Sequence, residues 1–183
     1  MSVPMQARPV ALVGLSGAGK STVAPLLAAR VGGAAADLDA RIAARAGCTI
    51  AELFAREGEA GFRGLELAEL ERSLAERAAV IACGGGIVET ERARVLLRER
   101  CRTIWLEVGA VEAASRVAAT AGERPLLAAG APAERLAELL ARRAARYAEV
   151  ALARVPTGGV PASEVTERIV RALEAAPSTG SRA

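Results

Sequence analysis

The sequence predicts an α/β fold in three layers, with helices on both faces of a central, mostly five-stranded parallel sheet. Short apolar stretches of strand length alternate with longer stretches of helical character along nearly the whole chain. Such alternation is typical of βαβ units, whose parallel strands are covered by helices on both faces. The length of 183 residues suits one domain with one sizeable core.

The elements are predicted from apolar runs, helical spacing and breaker residues. The strands are expected at residues 10–13, from residue 34 through the two aspartates at 37 and 39, at 79–83, at 103–108 and at 151–155. The helices are expected at 23–30, at 40–45, from residue 49, at 58–77, at 89–100, at 111–119, at 132–150 and at 163–175. Thr49 and Glu52 have the spacing of a capping box, which predicts a helix start at that point.

Residues 1–175 are taken as a single domain, and the polar residues 176–183 are expected to form a disordered tail. Within the domain, residues 120–130 interrupt the helices with glycines and Pro125. We interpret about 116–131 as a mobile lid, with Arg124 as a candidate charge-neutralising group. The alternative is an ordinary connection between helices with a solvated arginine.

Composition excludes several classes of function. The chain has no histidine, so a histidine-containing triad or a histidine-rich metal site is excluded. Three cysteines at wide spacing favour reduced thiols over a disulfide framework. A net charge of +3 and few aromatic residues argue against a nucleic-acid partner. No apolar run is long enough to span a membrane, and no signal region begins the sequence, so we expect a cytoplasmic protein with no membrane partner.

Residues 14–22 read GLSGAGKST and fit the pattern G-x-x-x-x-G-K-[ST]. Between a strand and a helix, this pattern predicts a phosphate-binding loop. Gly17 and Gly19 allow tight turns that aim backbone N–H groups at phosphate oxygens. Lys20, the single lysine of the chain, is expected to reach the β- and γ-phosphates, and Ser21 to join a Mg²⁺ shell. The alternative is a glycine-rich turn that matches the pattern by chance.

The only two aspartates of the chain, Asp37 and Asp39, lie at the end of the second predicted strand. Their alternate spacing on a strand predicts that the carboxylates project to different sides, one toward a metal and one toward a substrate. The alternative is a helix N-cap, a role that Asp39 could partly fill.

Three consecutive glycines, Gly84, Gly85 and Gly86, follow the third predicted strand. Each of them costs backbone entropy, so they indicate either close approach of the backbone to a ligand or a tight strand-to-helix turn. The sequence favours neither reading by itself. The glycine loop, the aspartates and the triple glycine all follow strands, so we expect them to meet at one edge of the sheet.

Together, these motifs resemble the shikimate kinase family of small P-loop kinases over nearly the whole chain. The family's phosphate loop, paired aspartates, substrate-binding helix, glycine triplet, lid and late R-x-x-x-Y segment resemble, in this order, GLSGAGKST, DLD, GEAGFRGLE, GGG, ERPLL and RAARYAEVA. The resemblance implies a P-loop kinase fold and transfer of the γ-phosphoryl group of ATP to the 3-hydroxyl of shikimate. It also implies Mg²⁺ as cofactor and a place in chorismate and aromatic amino-acid synthesis.

On the nucleotide side, the resemblance implies three charged groups around the transferring phosphoryl group. Lys20 and Arg124 neutralise its charge, and Asp39 binds the ring hydroxyls of shikimate and orients or deprotonates the attacking one. Asp37 holds Mg²⁺ through water, alongside Ser21. The implied ATP-binding residues are Gly14, Ser16, Gly17, Ala18, Gly19, Lys20, Ser21, Thr22 and Arg124.

On the substrate side, the resemblance implies that Arg63 and Arg143 hold the shikimate carboxylate, which suits planar guanidinium groups. Glu66 is expected to orient Arg63. The remaining implied contacts are the backbone of Gly84, Gly85 and Gly86 and the ring walls Phe54 and Phe62. No adenine contact is assigned, since the register of Arg116 is uncertain and residues 156–159 carry no basic group.

Two other functions remain open at this point. Another P-loop kinase, for gluconate or a nucleoside monophosphate, would share the phosphate loop, but a nucleotide acceptor needs its own anion site and base pocket. A regulator that binds ATP without turnover is disfavoured by the intact set of Lys20, Ser21, Asp37, Asp39 and Arg124. The resemblance favours a monomer whose partners are the small molecules shikimate and ATP.

Overall fold

The computed structural model describes residues 8–119 and 131–176, and in this part of the chain five strands form one parallel sheet. The strands are β1 (Val10–Val13), β2 (Ala35–Asp37), β3 (Val80–Ala82), β4 (Arg102–Glu107) and β5 (Ala153–Pro156). The helices are α1 (Lys20–Val31), α2 (Leu38–Ala46), α3 (Ile50–Ala75), α4 (Glu91–Arg100), α5 (Ala110–Ala118), α6 (Pro132–Val150) and α7 (Ala162–Ala175). The predicted α/β fold with a parallel sheet is confirmed.

Strand β1 lies at the centre of the sheet, whose order is β2-β3-β1-β4-β5. It pairs with β3 on one side and β4 on the other, so the chain changes direction across the sheet at this strand. Ligands of such sheets bind outside the carboxyl ends of the strands at this switch point. The phosphate loop follows β1 and therefore starts at the expected position.

Each face of the sheet is covered by helices because both faces of β1 are apolar. Leu12 belongs to one core cluster with Leu27 of α1 and Ile169 of α7. Ala11 and Val13 belong to the second cluster. That second cluster includes residues of α3, α4 and α6, namely Leu70, Leu97 and Tyr147. All four residues of β1 are buried, as expected for a central parallel strand.

Several element bounds differ from the prediction for local reasons. Strand β5 begins at Ala153 rather than at residue 151, because Ala151 is the C-cap of α6 and its N–H donates to Tyr147. The helix predicted from residue 89 begins at Glu91, after a short 3-10 turn over Ile87–Glu89. Helix α3 runs through Gly58, where φ of 69° and ψ of 179° mark a kink between two helical segments.

The predicted lid falls largely on residues 120–130, and these, with Arg124, lie outside the described residues. Residues 177–183 of the predicted tail lie outside them as well. In residues 8–119 and 131–176, no helix has the length and apolar character needed to cross a membrane.

Candidate active site

The phosphate loop connects β1 to α1 and has the backbone conformation that its glycines were predicted to allow. Gly17 and Gly19 have φ values of 82° and 89°, and Gly19 is the N-cap of α1. A Cβ at Gly17 would lie only 2.5 Å from the carbonyl oxygen of Ala113 in α5. Glycine is therefore required at position 17 both by the left-handed backbone and by the packing of α5.

Lys20 is buried at the start of α1, with 8% of its surface exposed. Its Nζ donates hydrogen bonds to the carbonyl oxygens of Gly14 at 2.8 Å and Leu15 at 2.7 Å. Both acceptors belong to the phosphate loop. The ammonium group is therefore held within the curve of the loop rather than extended into solvent.

A cavity of about 290 Å³ opens beside this loop. It is lined by Gly17, Gly19, Lys20, Ser21, Thr22, Asp37, Asp39, Cys83, Arg116 and Val117. The cavity brings together most of the loop residues predicted to bind ATP, Asp37, which was predicted for Mg²⁺, and Asp39, which was predicted for shikimate. Its size suits part of a small ligand. Its lining does not include Arg63, Arg143 or the triple glycine.

Both aspartates line the cavity, but they lie at the start of a helix and not, as predicted, at alternate positions of one strand. Asp37 ends β2 and is the N-cap of α2, where its Oδ1 accepts a hydrogen bond from the N–H of Ala40 at 3.1 Å. Asp39 lies in the first turn of α2. The prediction from strand alternation is therefore wrong, because the helix begins at Leu38. The N-cap is Asp37 and not Asp39, and both residues contribute to one cavity.

The triple glycine lies between Asp39, which lines the cavity, and the side chains of Glu66 and Arg63. A Cβ at Gly84 would overlap Oε1 of Glu66 and would lie 2.8 Å from Oδ1 of Asp39. A Cβ at Gly86 would overlap the guanidinium group of Arg63. Any side chain at these two positions would displace side-chain groups of the predicted site, so the close approach favours glycine here.

Gly85 lies between the phosphate loop and α6. A Cβ on Gly85 would be 3.3 Å from the backbone nitrogen of Ser16. Its carbonyl oxygen accepts a hydrogen bond of 2.5 Å from the hydroxyl of Tyr147. The segment also turns into the 3-10 helix through a hydrogen bond from the N–H of Ile87 to the carbonyl oxygen of Gly84. The strand-to-helix turn is thus present, whereas close approach of the glycine backbone to a ligand stays a prediction.

Arg63 of α3 is held by two carboxylates and two rings. Its Nη1 pairs with Glu66, and its Nη2 lies 3.1 Å from an oxygen of Glu59. The guanidinium carbon is 5.9 Å from the ring centroids of both Phe54 and Phe62, a distance typical of cation–π contacts. Nε of Arg63 is buried and makes no hydrogen bond to any residue that the structure describes. A charged donor is therefore left available in an otherwise fixed side chain.

Glu66 is almost fully buried, with 1% of its surface exposed. Burial raises the pKa of this carboxyl to about 7, even though the charge and hydrogen bond of Arg63 act in the opposite direction. The charge of Asp39 raises this pKa further, and the charge of Arg143 lowers it. Three charged groups from three segments of the sequence, Arg63, Asp39 and Arg143, therefore act on the carboxyl of Glu66.

Arg143 of α6 is 3% exposed, and its Nε donates to Oε1 of Glu89 at 2.7 Å. Its Nη2 is buried and makes no hydrogen bond within residues 8–119 and 131–176. Glu89 was not assigned to the site from the sequence. The available signal was its position three residues after Gly86, in a chain whose α6 carries Arg142, Arg143 and Arg146.

A second residue that the sequence did not assign to the site is Arg116 of α5, which lines the cavity. Its guanidinium group donates to the carbonyl oxygen of Thr157 at 2.7 Å and to that of Gly17 at 3.3 Å, and it pairs with Glu112 at 2.6 Å. The (i, i+4) spacing of Glu112 and Arg116 was the available signal. Arg116 thereby links the phosphate loop to the segment after β5.

Comparison with known proteins relates this arrangement to one family. The shikimate kinase family model matches residues 16–174. A shikimate kinase from Synechococcus sp. (strain RCC307) is 45% identical over 162 residues, which cover 88% of this chain and 82% of that protein. A shikimate kinase from Acinetobacter baumannii, solved in complex with shikimate, aligns with a TM-score of 0.88 and 32% identity over 92% of this chain and 94% of that one. A gluconokinase from Sinorhizobium meliloti 1021 is similar in fold alone, with a TM-score of 0.57 and 19% identity over 91% of each chain.

Proposed function

The chain belongs to the shikimate kinase family, whose reaction transfers the γ-phosphoryl group of ATP to the 3-hydroxyl of shikimate, and we propose which of its residues carry out this reaction. One observation supports the assignment above the others. Arg63 and Arg143 each keep a buried guanidinium nitrogen without a hydrogen bond among the described residues, and neither lines the phosphate-loop cavity. A buried charged donor without a partner is costly, and a carboxylate is an acceptor that suits a guanidinium group.

On the nucleotide side, residues 14–22 bind the phosphates of ATP through backbone N–H groups and the start of α1. Lys20 moves from the carbonyl oxygens of Gly14 and Leu15 to the β- and γ-phosphates, which exchanges neutral acceptors for charged ones. Because phosphoryl transfer depends mainly on positioning and on stabilisation of charge, Lys20 is the principal catalytic cation among the described residues. Arg124 is proposed as a second cation on the basis of the family resemblance.

Mg²⁺ fits the oxygen donors at this end of the cavity. Ser21 and Asp37 both line it, and among the described residues no group of three or more acidic, cysteine or histidine side chains forms a cage for a metal. Mg²⁺ commonly binds through one or two protein oxygens together with water and phosphate oxygens. We assign its protein contacts to the hydroxyl of Ser21 and, through water, to the carboxylate of Asp37, where the ion would neutralise phosphate charge.

On the acceptor side, Arg63 and Arg143 hold the carboxylate of shikimate, and Phe54 and Phe62 flank its ring. Glu66 fixes Arg63. Asp39 reaches both halves of the site, since it lines the cavity and also lies against Gly84. This position suits a residue that binds the ring hydroxyls and orients or deprotonates the attacking 3-hydroxyl. We further infer that the enzyme acts as a cytoplasmic monomer, as its family resemblance suggests.

The deciding experiment is release of ADP from ATP and Mg²⁺ with shikimate, gluconate and the nucleoside monophosphates offered separately. We expect release with shikimate, with a ³¹P signal for a phosphate ester on the 3-oxygen. The Lys20→Ala variant, purified in the same way, is the control for a contaminating kinase. Release with another acceptor alone would contradict the assignments of Arg63 and Arg143 but leave the phosphate loop in place. Nucleotide binding without release for any acceptor would favour a regulator.

A further inference from the structure

One carboxylate, that of Glu89, pairs with three arginines of α6. Its Oε1 lies 2.7 Å from Nε of Arg143 and 3.4 Å from Nη2 of Arg142, and its Oε2 pairs with Arg146. We propose that Glu89 is a positioning residue that fixes the guanidinium group of Arg143 for binding of the substrate carboxylate. This inference rests on the proposed function of Arg143.

The main chain of Glu89 is itself fixed next to the site. Its N–H donates to the carbonyl oxygen of Gly86 at 2.9 Å. Arg94 of α4 donates to the carbonyl oxygen of Val88 at 2.8 Å, one residue earlier. The carboxylate therefore extends from a backbone segment that is held by the triple glycine on one side and by α4 on the other.

The choice of nitrogen atom explains what Glu89 does for Arg143. The Nε–H of an arginine points along one edge of the guanidinium plane, and a carboxylate on this atom fixes the rotation of the whole group. The hydrogen bond at Nε leaves the terminal nitrogens for another acceptor. Nη2, which is buried without a hydrogen bond in the described part of the chain, is the atom that a ligand carboxylate would satisfy.

The charge balance around Glu89 favours an additional anion. Three guanidinium groups surround one carboxylate, so the cluster of Glu89, Arg142, Arg143 and Arg146 carries a net charge of about +2. Burial opposes ionisation of Glu89, but the hydrogen bond and charge of Arg143 and the charge of Arg146 hold its pKa below the usual value. Glu89 therefore stays ionised at neutral pH, and the surplus of positive charge remains for the substrate.

Without Glu89, two effects on shikimate binding have opposite signs. Loss of the carboxylate makes the cluster more positive, which by itself would strengthen binding of an anion. Loss of the hydrogen bond frees Arg143 to rotate and exposes it to repulsion from Arg142 and Arg146, which weakens binding. Because Arg143 is buried and partly unsatisfied, we expect the loss of orientation to dominate.

The test measures KM for shikimate, KM for ATP and kcat in Glu89→Ala and Glu89→Gln. In Glu89→Ala, KM for shikimate should rise roughly tenfold, the size of one charge-assisted hydrogen bond, while kcat and KM for ATP stay within about twofold. Glu89→Gln should recover most of the affinity, because its amide oxygen still accepts from Nε. A KM for shikimate that falls or stays unchanged in Glu89→Ala would overturn the inference.

A double-mutant cycle with Arg143→Ala separates positioning from a general structural effect. If Glu89 acts through Arg143, the double variant should bind shikimate no more weakly than Arg143→Ala alone. Additive losses would overturn the inference. The matched control is Glu167→Ala, which removes a carboxylate of α7 that pairs with Arg30 of α1, and it should leave KM for shikimate unchanged.

Two further measurements make each outcome decisive. If Glu89→Ala does not fold, Glu89→Asp replaces it, since this variant keeps the charge but shortens the reach, and an unchanged KM for shikimate would overturn the inference. Calorimetric titration with shikimate separates failure of the proposed function from failure of this inference. Absence of binding to the wild-type protein would overturn both, whereas equal binding to the wild type and to Glu89→Ala would overturn the inference alone.

Discussion

The hydroxyl of Tyr147 on α6 donates a hydrogen bond to the carbonyl oxygen of Gly85, in the middle of the triple glycine. Tyr147 is fully buried, and its ring packs against Trp105 of β4 with 5.6 Å between the ring centroids. One turn earlier on the same helix lies Arg143. The spacing R-x-x-x-Y therefore places an anion-binding side chain and the support for the glycine backbone on the same face of α6.

Tyr147→Phe should lower the free energy of unfolding by about 1–2 kcal/mol, because a partly buried carbonyl group loses its donor while ring packing is retained. We also expect a moderate rise in KM for shikimate, since Gly85 and its neighbours lose their support. Urea unfolding and steady-state kinetics measure these two effects. A variant as stable as the wild type, with the same KM, would show that the hydrogen bond contributes nothing in solution.

Gly86→Ala should weaken shikimate binding while leaving ATP binding intact. A methyl group at this position would overlap the guanidinium group of Arg63, which would have to move away from Glu66. We expect KM for shikimate to rise about tenfold or more, as for loss of a charge-assisted contact. The control is Gly109→Ala, because a Cβ at Gly109 would have no heavy atom of the described residues within 4 Å and the φ there is −67°. Equal effects of the two substitutions would refute the steric explanation.

Lys20→Ala should reduce kcat by about 10²-fold or more, in line with loss of a donor to a developing charge. The fold should be retained, because the two hydrogen bonds that Nζ of Lys20 donates to carbonyl groups lie within its own loop. Lys20→Arg keeps the charge but changes the shape of the group. We expect its kcat to remain reduced, because a planar guanidinium does not replace a compact ammonium. Circular dichroism and a coupled ADP assay give the two readouts. Turnover near the wild-type rate in Lys20→Ala would remove Lys20 from the mechanism.

Asp39→Asn should leave ATP affinity within about twofold and lower turnover by about 10²-fold or more, the usual contribution of a positioned acid or base. Asp37→Asn serves as the comparison, because asparagine is an equally good N-cap and the start of α2 is preserved. That variant should instead raise the Mg²⁺ concentration needed for half-maximal rate. Unchanged activity in Asp39→Asn would reduce Asp39 to a structural residue of α2.

Glu66→Gln should change how stability depends on pH. Burial raises the pKa of Glu66 to about 7 in the folded protein, above its ordinary value of 4.5. The folded state therefore binds the proton of Glu66 more strongly than the unfolded chain does. Protonation of Glu66 stabilises the folded state fully below pH 4.5, and this stabilisation is lost as pH rises through 7. Glutamine does not titrate, so the variant should lack this contribution to the change of the free energy of unfolding with pH. Urea unfolding of both proteins between about pH 5 and pH 8 measures it, and identical slopes would contradict the assignment.

Much of the fold followed from local patterns in the sequence. The alternation of apolar strands and helices predicted the parallel sheet, and the helix at Pro132–Val150 was predicted with the observed bounds. The capping box of Thr49 and Glu52 is present at the start of α3. Local sequence was less informative at boundaries, where capping decides which residue begins a helix. Asp37 illustrates this, since its capping bond makes α2 begin before Asp39 and removes the strand alternation that had been predicted.

By itself, the sequence determined the kind of chemistry, because the phosphate loop, the paired aspartates and the triple glycine are contiguous motifs whose residue types indicate their purpose. Only the tertiary structure decided which residues from distant segments contact one another in the site. Glu89 lies 54 residues from Arg143 along the chain, and Tyr147 lies 62 residues from Gly85. Such contacts arise from the packing of α6 against the segment after β3, and no local pattern encodes which carboxylate or carbonyl a helix will meet when the sheet brings distant segments together.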